Sequence, residues 1–255
     1  MIRGRNRQTR LVRRGVLLAV GVLALTVAHP VGWPVRQPSV LPGATTVSAT
    51  NAGVSTPPPM RVAAFGHEEV SPEVRHVANW AVYTGDHKAL ALVIVDKKAA
   101  KVFVFNPRGE LVAVTPALLG SAHGDHTVPG IGDRPLSQVL PEERTTPAGR
   151  FIAEPGINTH GEDIVWVDYE AAVSLHRVRA NNKSERRLER LASPSVEDNR
   201  ISFGCINLPV TFYESVLSPT VRATGAVIYV LPETRTPAEV FGSFDVPAAT
   251  QHARR

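Results

Sequence analysis

The sequence predicts a mainly β domain with a few short helices. Three apolar runs follow one another closely, at 89–95, 101–105 and 110–114, and each has the length of a strand. A short charged turn separates the first two runs, and Asn106-Pro107-Arg108-Gly109 separates the second from the third. Short turns join antiparallel neighbours, so the runs predict an antiparallel meander. No glycine-rich loop follows any of them, which argues against a nucleotide-binding fold.

A helix is expected before the meander, and further strands and helices are expected after it. Ser71-Pro72-Glu73 has the residues of a helix start, apolar residues follow at helical spacing, and Gly85 can end the helix. Residues 119–147 are rich in glycine and proline and predict a long loop region. Beyond it we expect a strand after the turn at 145–150, strands at 163–168 and 172–176, short helices at 184–191 and 210–217, and a final buried strand at 225–231.

The first 28 residues predict an export signal. They hold six arginines and no acidic residue, and they end in an apolar run of 14 residues, Gly15–Ala28. A basic segment before an apolar run of this length is typical of a secretory signal, and small residues at 26–28 suit cleavage. An uncleaved N-terminal anchor is the alternative. We therefore expect an exported protein of the periplasm or cell envelope, which touches the membrane only if residues 1–28 are retained.

Composition divides the rest of the chain into a linker, a domain and a tail. Residues 29–60 are rich in proline, serine and threonine and predict a linker. We expect a folded domain at 61–234 and a polar tail that frays at 235–255. The net charge of +5 comes from the leader, because the rest of the chain holds slightly more acidic than basic residues. No nucleic-acid partner is expected on this ground.

Cys205 is the only cysteine in the chain. Exported domains commonly pair their cysteines in disulfides, and a single cysteine cannot form an internal one. It is then either a buried apolar residue or a reactive thiol, and export favours the reactive thiol. Gly204 precedes it and permits a bend that would expose the thiol and turn backbone N–H groups towards an oxyanion.

A reactive thiol needs a base, and two histidines precede the cysteine segment. His176 ends an apolar run that predicts a strand, which would aim its side chain in a fixed direction. His160 stands in a predicted turn beside Gly161, where an imidazole is poorly oriented. We therefore expect that His176 pairs with Cys205 and that His160 does not.

The long loop region also contains two histidines and an aspartate. His123, Asp125 and His126 could suggest a metal site, but no helical or strand spacing fixes them and no other ligand cluster is near. We expect a polar surface loop there, with no metal and no cofactor.

Three stretches in this order resemble the catalytic domain of the L,D-transpeptidase (YkuD-type) family of bacterial cell-wall enzymes. They are Thr146-Pro147-Ala148-Gly149-Arg150-Phe151, then Leu175-His176, then Ser202-Phe203-Gly204-Cys205-Ile206-Asn207. The resemblance covers roughly residues 88–233. It implies a β-sandwich or barrel-like domain that acts in cell-wall biogenesis and cell shape. The implied activity requires neither cofactor nor metal.

The resemblance also implies roles for individual residues. Cys205 is the implied nucleophile and His176 the implied base, while Gly204, Ser202 and Asn207 support the loop or the oxyanion. The implied reaction is acyl transfer on peptidoglycan stem peptides, in which a D-amino acid leaves and an amine of a second stem completes the cross-link.

Two departures from the family pattern stand out. Phe203 replaces a second histidine of the signature, and we expect it to pack at the wall of the site without proton chemistry. His176 and Ser202 are 26 positions apart, which is longer than usual in the family. The extra residues form an insertion with a predicted basic helix, which is either a solvated face or a rim that attracts carboxylates. Its basic residues are Arg177, Arg179, Lys183, Arg186, Arg187 and Arg190.

The acceptor of the acyl group stays open at this point. An amine of a second stem gives cross-linking, water gives an L,D-carboxypeptidase-type hydrolase, and a protein amine gives attachment of protein to the wall. A non-catalytic wall-binding module is a further alternative, although the presence of both Cys205 and His176 argues against it. In each case the expected partner is the peptidoglycan stem peptide.

Overall fold

The computed structural model of the chain describes residues 61–247. The predicted leader at 1–28 and linker at 29–60 lie outside these residues, as does the last part of the predicted tail, 248–255. Within the described part, no helix is both long and apolar enough to cross a membrane.

The secondary structure is mostly strand. The strands are β1 Ala91–Asp96, β2 Lys101–Phe105, β3 Leu111–Pro116, β4 Leu119–Gly120, β5 Gly149–Ile152, β6 Glu154–Ile157, β7 Asp163–Asp168, β8 Val173–Arg177, β9 Arg200–Ser202, β10 Ile206–Leu208 and β11 Ala226–Val230. The helices are α1 Pro72–Thr84, α2 Arg187–Ala192, α3 Val210–Phe212, a π-helical turn Tyr213–Leu217, α4 Ser218–Thr224 and α5 Pro237–Phe241. Short 3₁₀ turns are Ile131–Asp133, Leu136–Gln138, Pro141–Glu143, Lys183–Glu185 and Val196–Asn199.

A five-stranded sheet in the order β3-β2-β1-β11-β5 forms the centre of the domain. The β1-β2-β3 meander is antiparallel, as the sequence predicts, whereas β11 pairs with β1 in parallel. Strand β1 is buried on both faces. Because side chains alternate along a strand, Ala91, Val93 and Val95 join one core cluster, and Leu92 and Ile94 join the other.

Helix α1 covers one face of this sheet. The hydroxyl of Ser71 caps its first turn by accepting from Val74 N at 3.2 Å, and Gly85 ends it in the left-handed conformation. Its apolar stripe includes Val74 and Val77 and packs in the same cluster as Leu92. The predicted helix start and end are therefore confirmed.

A second sheet, in the order β10-β8-β7-β6, shares the core on the other face. Val165, Leu175 and Ile206 from this sheet lie in one cluster with Val93 of β1. The helical segment 210–224 closes the same cluster. This arrangement confirms the predicted mainly β fold, a sandwich with a few short helices. It also places β8 beside β10, in parallel.

The predicted frayed tail is wrong for the residues that follow the last strand. Helix α5 begins with a capping box and holds Phe241 against Tyr229, with ring centroids 5.5 Å apart. Further on, Val246 is buried in the cluster beneath α1. The apolar residues are too widely spaced to form a run, so the composition of 235–255 does not reveal this packing.

Candidate active site

Cys205 lies in the short turn between β9 and β10. Its side chain is partly exposed and lines a cavity of about 860 Å³. His176 and Ser174 line the same cavity, since they stand two residues apart on β8 and so point to one face. The parallel pairing of β8 with β10 brings these two side chains beside the cysteine, although 31 positions separate Ser174 from it in the chain.

The peptide that joins Gly204 to Cys205 has a fixed orientation. Gly204 has a φ of +131°, and a Cβ there would lie 2.7 Å from the carbonyl oxygen of Thr145, so only glycine fits. The hydroxyl of Thr146 donates to Gly204 O at 2.9 Å. In a trans peptide the N–H points opposite to the C=O. The N–H of Cys205 therefore points away from buried Thr146, as an oxyanion donor must.

Ser202 and Asn207 hold the peptides on either side of the Gly204–Cys205 peptide. The hydroxyl of Ser202 accepts from Gly204 N at 3.0 Å and donates to Cys205 O at 2.6 Å. The Nδ2 of Asn207 donates to the same carbonyl at 3.2 Å. Both side chains are buried, so they contact the backbone of the loop and not the cavity.

His176 has the tautomer that a base for Cys205 requires. Its Nδ1 lies 2.8 Å from the carbonyl oxygen of Arg177, and a carbonyl only accepts, so Nδ1 carries the proton. Nε2 is then the nitrogen that can exchange a proton with the sulfur. The hydroxyl of Ser174 is 3.7 Å from the sulfur, and Ala172 O is 3.5 Å from it.

These neighbours shift the acidity of the thiol. Burial raises the pKa of Cys205, but a hydrogen bond and a favourable charge interaction from His176, with hydrogen bonds from Ser174, together lower it further. The resulting pKa lies below the usual value of a thiol. A larger fraction of Cys205 is therefore thiolate, the nucleophilic form.

His160 lines the same cavity but has other neighbours. Its Nδ1 lies 3.3 Å from the hydroxyl of Thr159 and 3.3 Å from Nη1 of Arg179. Arg179 in turn pairs with Glu162 at 2.7 Å. These contacts engage Nδ1 of His160 with Thr159 and Arg179, which supports the expectation that His160 is not the base for Cys205.

Phe203 does not have the predicted position. The residues of 61–247 that line the cavity do not include it. Its ring is 37% exposed, and the guanidinium carbon of Arg144 lies 4.2 Å from the ring centroid. The ring thus lies at the outer surface, where it forms a cation–π contact.

A buried ion pair between Lys97 and Asp125 anchors the loop that carries His123, Asp125 and His126. Lys97 is fully buried, and its Nζ donates to Gly124 O at 2.5 Å, Asp125 Oδ1 at 2.8 Å and Thr146 O at 2.9 Å. Burial raises the pKa of Asp125, but hydrogen bonds from Lys97, Thr234 and the backbone of 233–234 hold it well below its usual range. Within residues 61–247 no group of three or more histidine, cysteine, aspartate or glutamate side chains could hold a metal ion.

Sequence reasoning missed three residues that contact the cysteine loop or support it. Ser174 could have been found, because it is two residues before His176 on the same predicted strand. Thr146 belongs to a motif of the resemblance but received no role. Lys97 gave no signal, since it stands in a charged turn next to Lys98 and such lysines are usually exposed.

No protein-family model matches the chain, and no curated protein matches it. Solved structures do match. An L,D-transpeptidase from Mycobacterium smegmatis is 20% identical over 55% of this chain and 58% of its own, with a TM-score of 0.31. The catalytic domain of the E. faecium L,D-transpeptidase is 15% identical over 55% of this chain and 96% of its own, with a TM-score of 0.33.

An L,D-transpeptidase fragment, residues 123–326, from Xylanimonas cellulosilytica is 13% identical over 55% of this chain, with a TM-score of 0.33. The match spans 60% of the length of that solved chain.

Proposed function

We propose that this chain is an L,D-transpeptidase that uses Cys205 as the nucleophile for acyl transfer on peptidoglycan stem peptides. The observation that carries the proposal is the thiol with a lowered pKa beside His176, in a cavity of about 860 Å³. Nucleophile, base and a turned backbone N–H are the parts that acyl transfer needs. The substrate class is inferred from the three sequence motifs that resemble those of the L,D-transpeptidase family.

The first half of the reaction forms a thioester. The sulfur of Cys205 attacks the carbonyl carbon of an amide between an L- and a D-centre, and its proton passes to Nε2 of His176. The N–H of Cys205 stabilises the oxyanion of the tetrahedral intermediate. When the C–N bond breaks, His176 returns the proton to the leaving D-amino acid.

The second half transfers the acyl group. An amine of a second stem attacks the thioester carbonyl and gives a proton to His176. The C–S bond then breaks, and the thiolate leaves or takes the proton back. Water in place of the amine would give hydrolysis with the same residues, and a protein amine would give attachment to the wall.

The charges around the cavity suit a substrate that carries both signs. Asp133 and Glu170 bring exposed carboxylates to its lining, and Arg179 brings a guanidinium. Stem peptides have both free amines and free carboxylates, which charges of both signs can attract.

The proposal includes export to the periplasm or cell envelope, with residues 1–28 as the signal, 29–60 as a linker, and the catalytic domain from 61. We expect the exported protein to begin near His29, because the apolar run that ends at Ala28 has the length of a signal and not of a membrane span. N-terminal sequencing of protein from the native host tests this. An intact N-terminus in the membrane fraction would mean an anchor instead.

Incubation of the purified protein with tetrapeptide stems, followed by mass separation of the products, tests the activity. We expect cross-linked dimers and released D-amino acid, and neither with the Cys205→Ala variant. Tripeptide alone would identify a hydrolase. No turnover by wild-type protein that still binds stems would leave a wall-binding module and contradict the proposal.

A further inference from the structure

Arg187 is the first residue of α2, in the insertion between His176 and Ser202. We propose that Arg187 is a positioning residue, which orients the side chain of Asn207 and through it the Cys205 loop. The inference rests on the proposed function, and it gives the insertion a role in that site.

Arg187 differs from its neighbours in the insertion by its burial. Its side chain is only 15% exposed, whereas that of Arg186 is 70% exposed. Nη1 of Arg187 donates to Oδ1 of Asn207 at 2.8 Å, and Nε pairs with the carboxylate of Glu185. One guanidinium therefore spans from the insertion to the strand that follows the cysteine.

The contact decides which way the amide of Asn207 faces. An amide has one acceptor end and one donor end, and a guanidinium can only donate. With Oδ1 held by Arg187, Nδ2 must face Cys205 O, to which it donates at 3.2 Å. If the amide turned over, two oxygens would face each other at the cysteine carbonyl.

The backbone of Asn207 is already fixed from two directions. Its N–H and C=O bond the backbone of Leu118, both at 2.9 Å, and it lies opposite His176 in the β8–β10 register. Only the side-chain amide is left to be oriented. The residue that Arg187 holds thus adjoins both the nucleophile and the base.

The insertion is docked firmly enough to perform this task. Leu191 of α2 packs in a small buried cluster with Leu118 and Val178, against which Ile201 also packs. Because Leu118 bonds Asn207 directly, the same cluster sets the distance from α2 to the amide.

The test compares Arg187→Ala, Arg187→Lys and the matched control Arg186→Ala. Each protein is measured for the rate of Cys205 alkylation by iodoacetamide as a function of pH, for turnover of stem peptides, and for thermal unfolding. Small misplacements in an active site cost up to about 100-fold, so we expect Arg187→Ala to lower the alkylation rate at neutral pH and kcat by about 10- to 100-fold. Its alkylation midpoint should move up towards that of a free thiol, with KM little changed.

Arg187→Lys keeps a side chain that donates hydrogen bonds and cannot accept them. It should therefore recover most of the alkylation rate and of kcat. Arg186→Ala should match wild type. In an Asn207→Ala background, Arg187→Ala should add nothing, because the two residues act through one contact. The proposal is overturned if Arg187→Ala reacts like wild type, if its effect is additive with that of Asn207→Ala, or if only thermal stability changes. Alkylation needs no stem peptide, so this arm gives a result even if the proposed substrate is wrong.

Discussion

The Cys205 loop has a buried side and a cavity side, which differ in what their residues contribute. On the buried side, fully buried Thr146 holds the carbonyl of Gly204, and Lys97 holds the carbonyl of Thr146. On the cavity side, His176 and the thiol are partly exposed, and in the proposed reaction they exchange a proton. The buried side fixes positions, and the cavity side would perform the proposed chemistry. Substitutions on the two sides should therefore affect different measurements.

The largest effect is expected from His176→Ala on the cavity side. A general base contributes about 100- to 10,000-fold, so turnover should fall by that factor while the unfolding midpoint hardly moves. The pKa of Cys205 is lowered by His176, so alkylation of the variant should need a higher pH than alkylation of wild type.

His160→Ala is the matched control, since His160 lines the same cavity. It should leave the alkylation profile in place. If His160→Ala shifts the midpoint and His176→Ala does not, the assignment of the base is wrong.

Next in size is Lys97→Met on the buried side. The change removes the buried cation nearest to Asp125, and breaking a buried ion pair from one side costs about 3–5 kcal/mol of unfolding free energy. Urea unfolding measures this loss. Lys98→Met is the control in the adjacent position, because its side chain is 50% exposed and pairs with Glu73 at the surface. We expect it to cost at most about 1 kcal/mol, and equal losses would contradict the burial of Lys97.

The ion pair between Lys97 and Asp125 should also make the stability of the protein depend on pH in acid. The pKa of Asp125 is lower in the folded protein than in the unfolded chain, so its contribution to stability is complete above the unfolded value of about 3.9. It is lost as the pH falls below that value towards the folded pKa. Urea midpoints at a series of pH values should therefore drop steeply in wild type below about pH 4. Lys97→Met should weaken that drop, and an unchanged slope would count against the pair.

Thr146→Val should affect both sides by a smaller amount. The hydroxyl of Thr146 donates to Gly204 O and accepts from Gly120 N at 2.9 Å. Valine has the same shape and leaves both groups unsatisfied, at about 1–3 kcal/mol of unfolding free energy. Turnover should fall as well, because the Gly204–Cys205 peptide is freed. Thr224→Val is the control, because its hydroxyl also donates to carbonyls but lies outside the Cys205 loop. It should lower stability and leave turnover unchanged.

The smallest effect is expected from Phe203→His. The ring lies outside the cavity, and its contact with Arg144 is a cation–π contact worth about 0.5–1 kcal/mol at an exposed site. Because little is lost and the ring does not line the cavity, turnover should stay within about tenfold of wild type. A gain of several orders of magnitude would show that the site lacks a group that this position supplies.

The sequence predicts the cavity side better than the buried side. Cys205 is unique in the chain and His176 ends a recognisable strand, so local pattern is enough to select both. Helix α1 and the meander follow equally from capping residues and apolar runs. These features depend on neighbours in sequence, which a pattern records.

The buried side depends on contacts between distant segments. Lys97 meets Thr146 across 49 positions, and Arg187 meets Asn207 across 20. Nothing local distinguishes Lys97 from Lys98, or Arg187 from the other arginines of the insertion. The helix predicted at 210–217 continues in the structure to Thr224, with Pro219 in the first turn of α4, where proline needs no donor.

The packing of 237–246 has a consequence for where the protein can be cut. Phe241 and Val246 shield apolar side chains beneath α1, including Tyr229 of the central sheet. A recombinant protein trimmed at 234 would leave that surface in water, and exposed patches of this kind promote aggregation. A boundary beyond residue 247 keeps the outer layer closed.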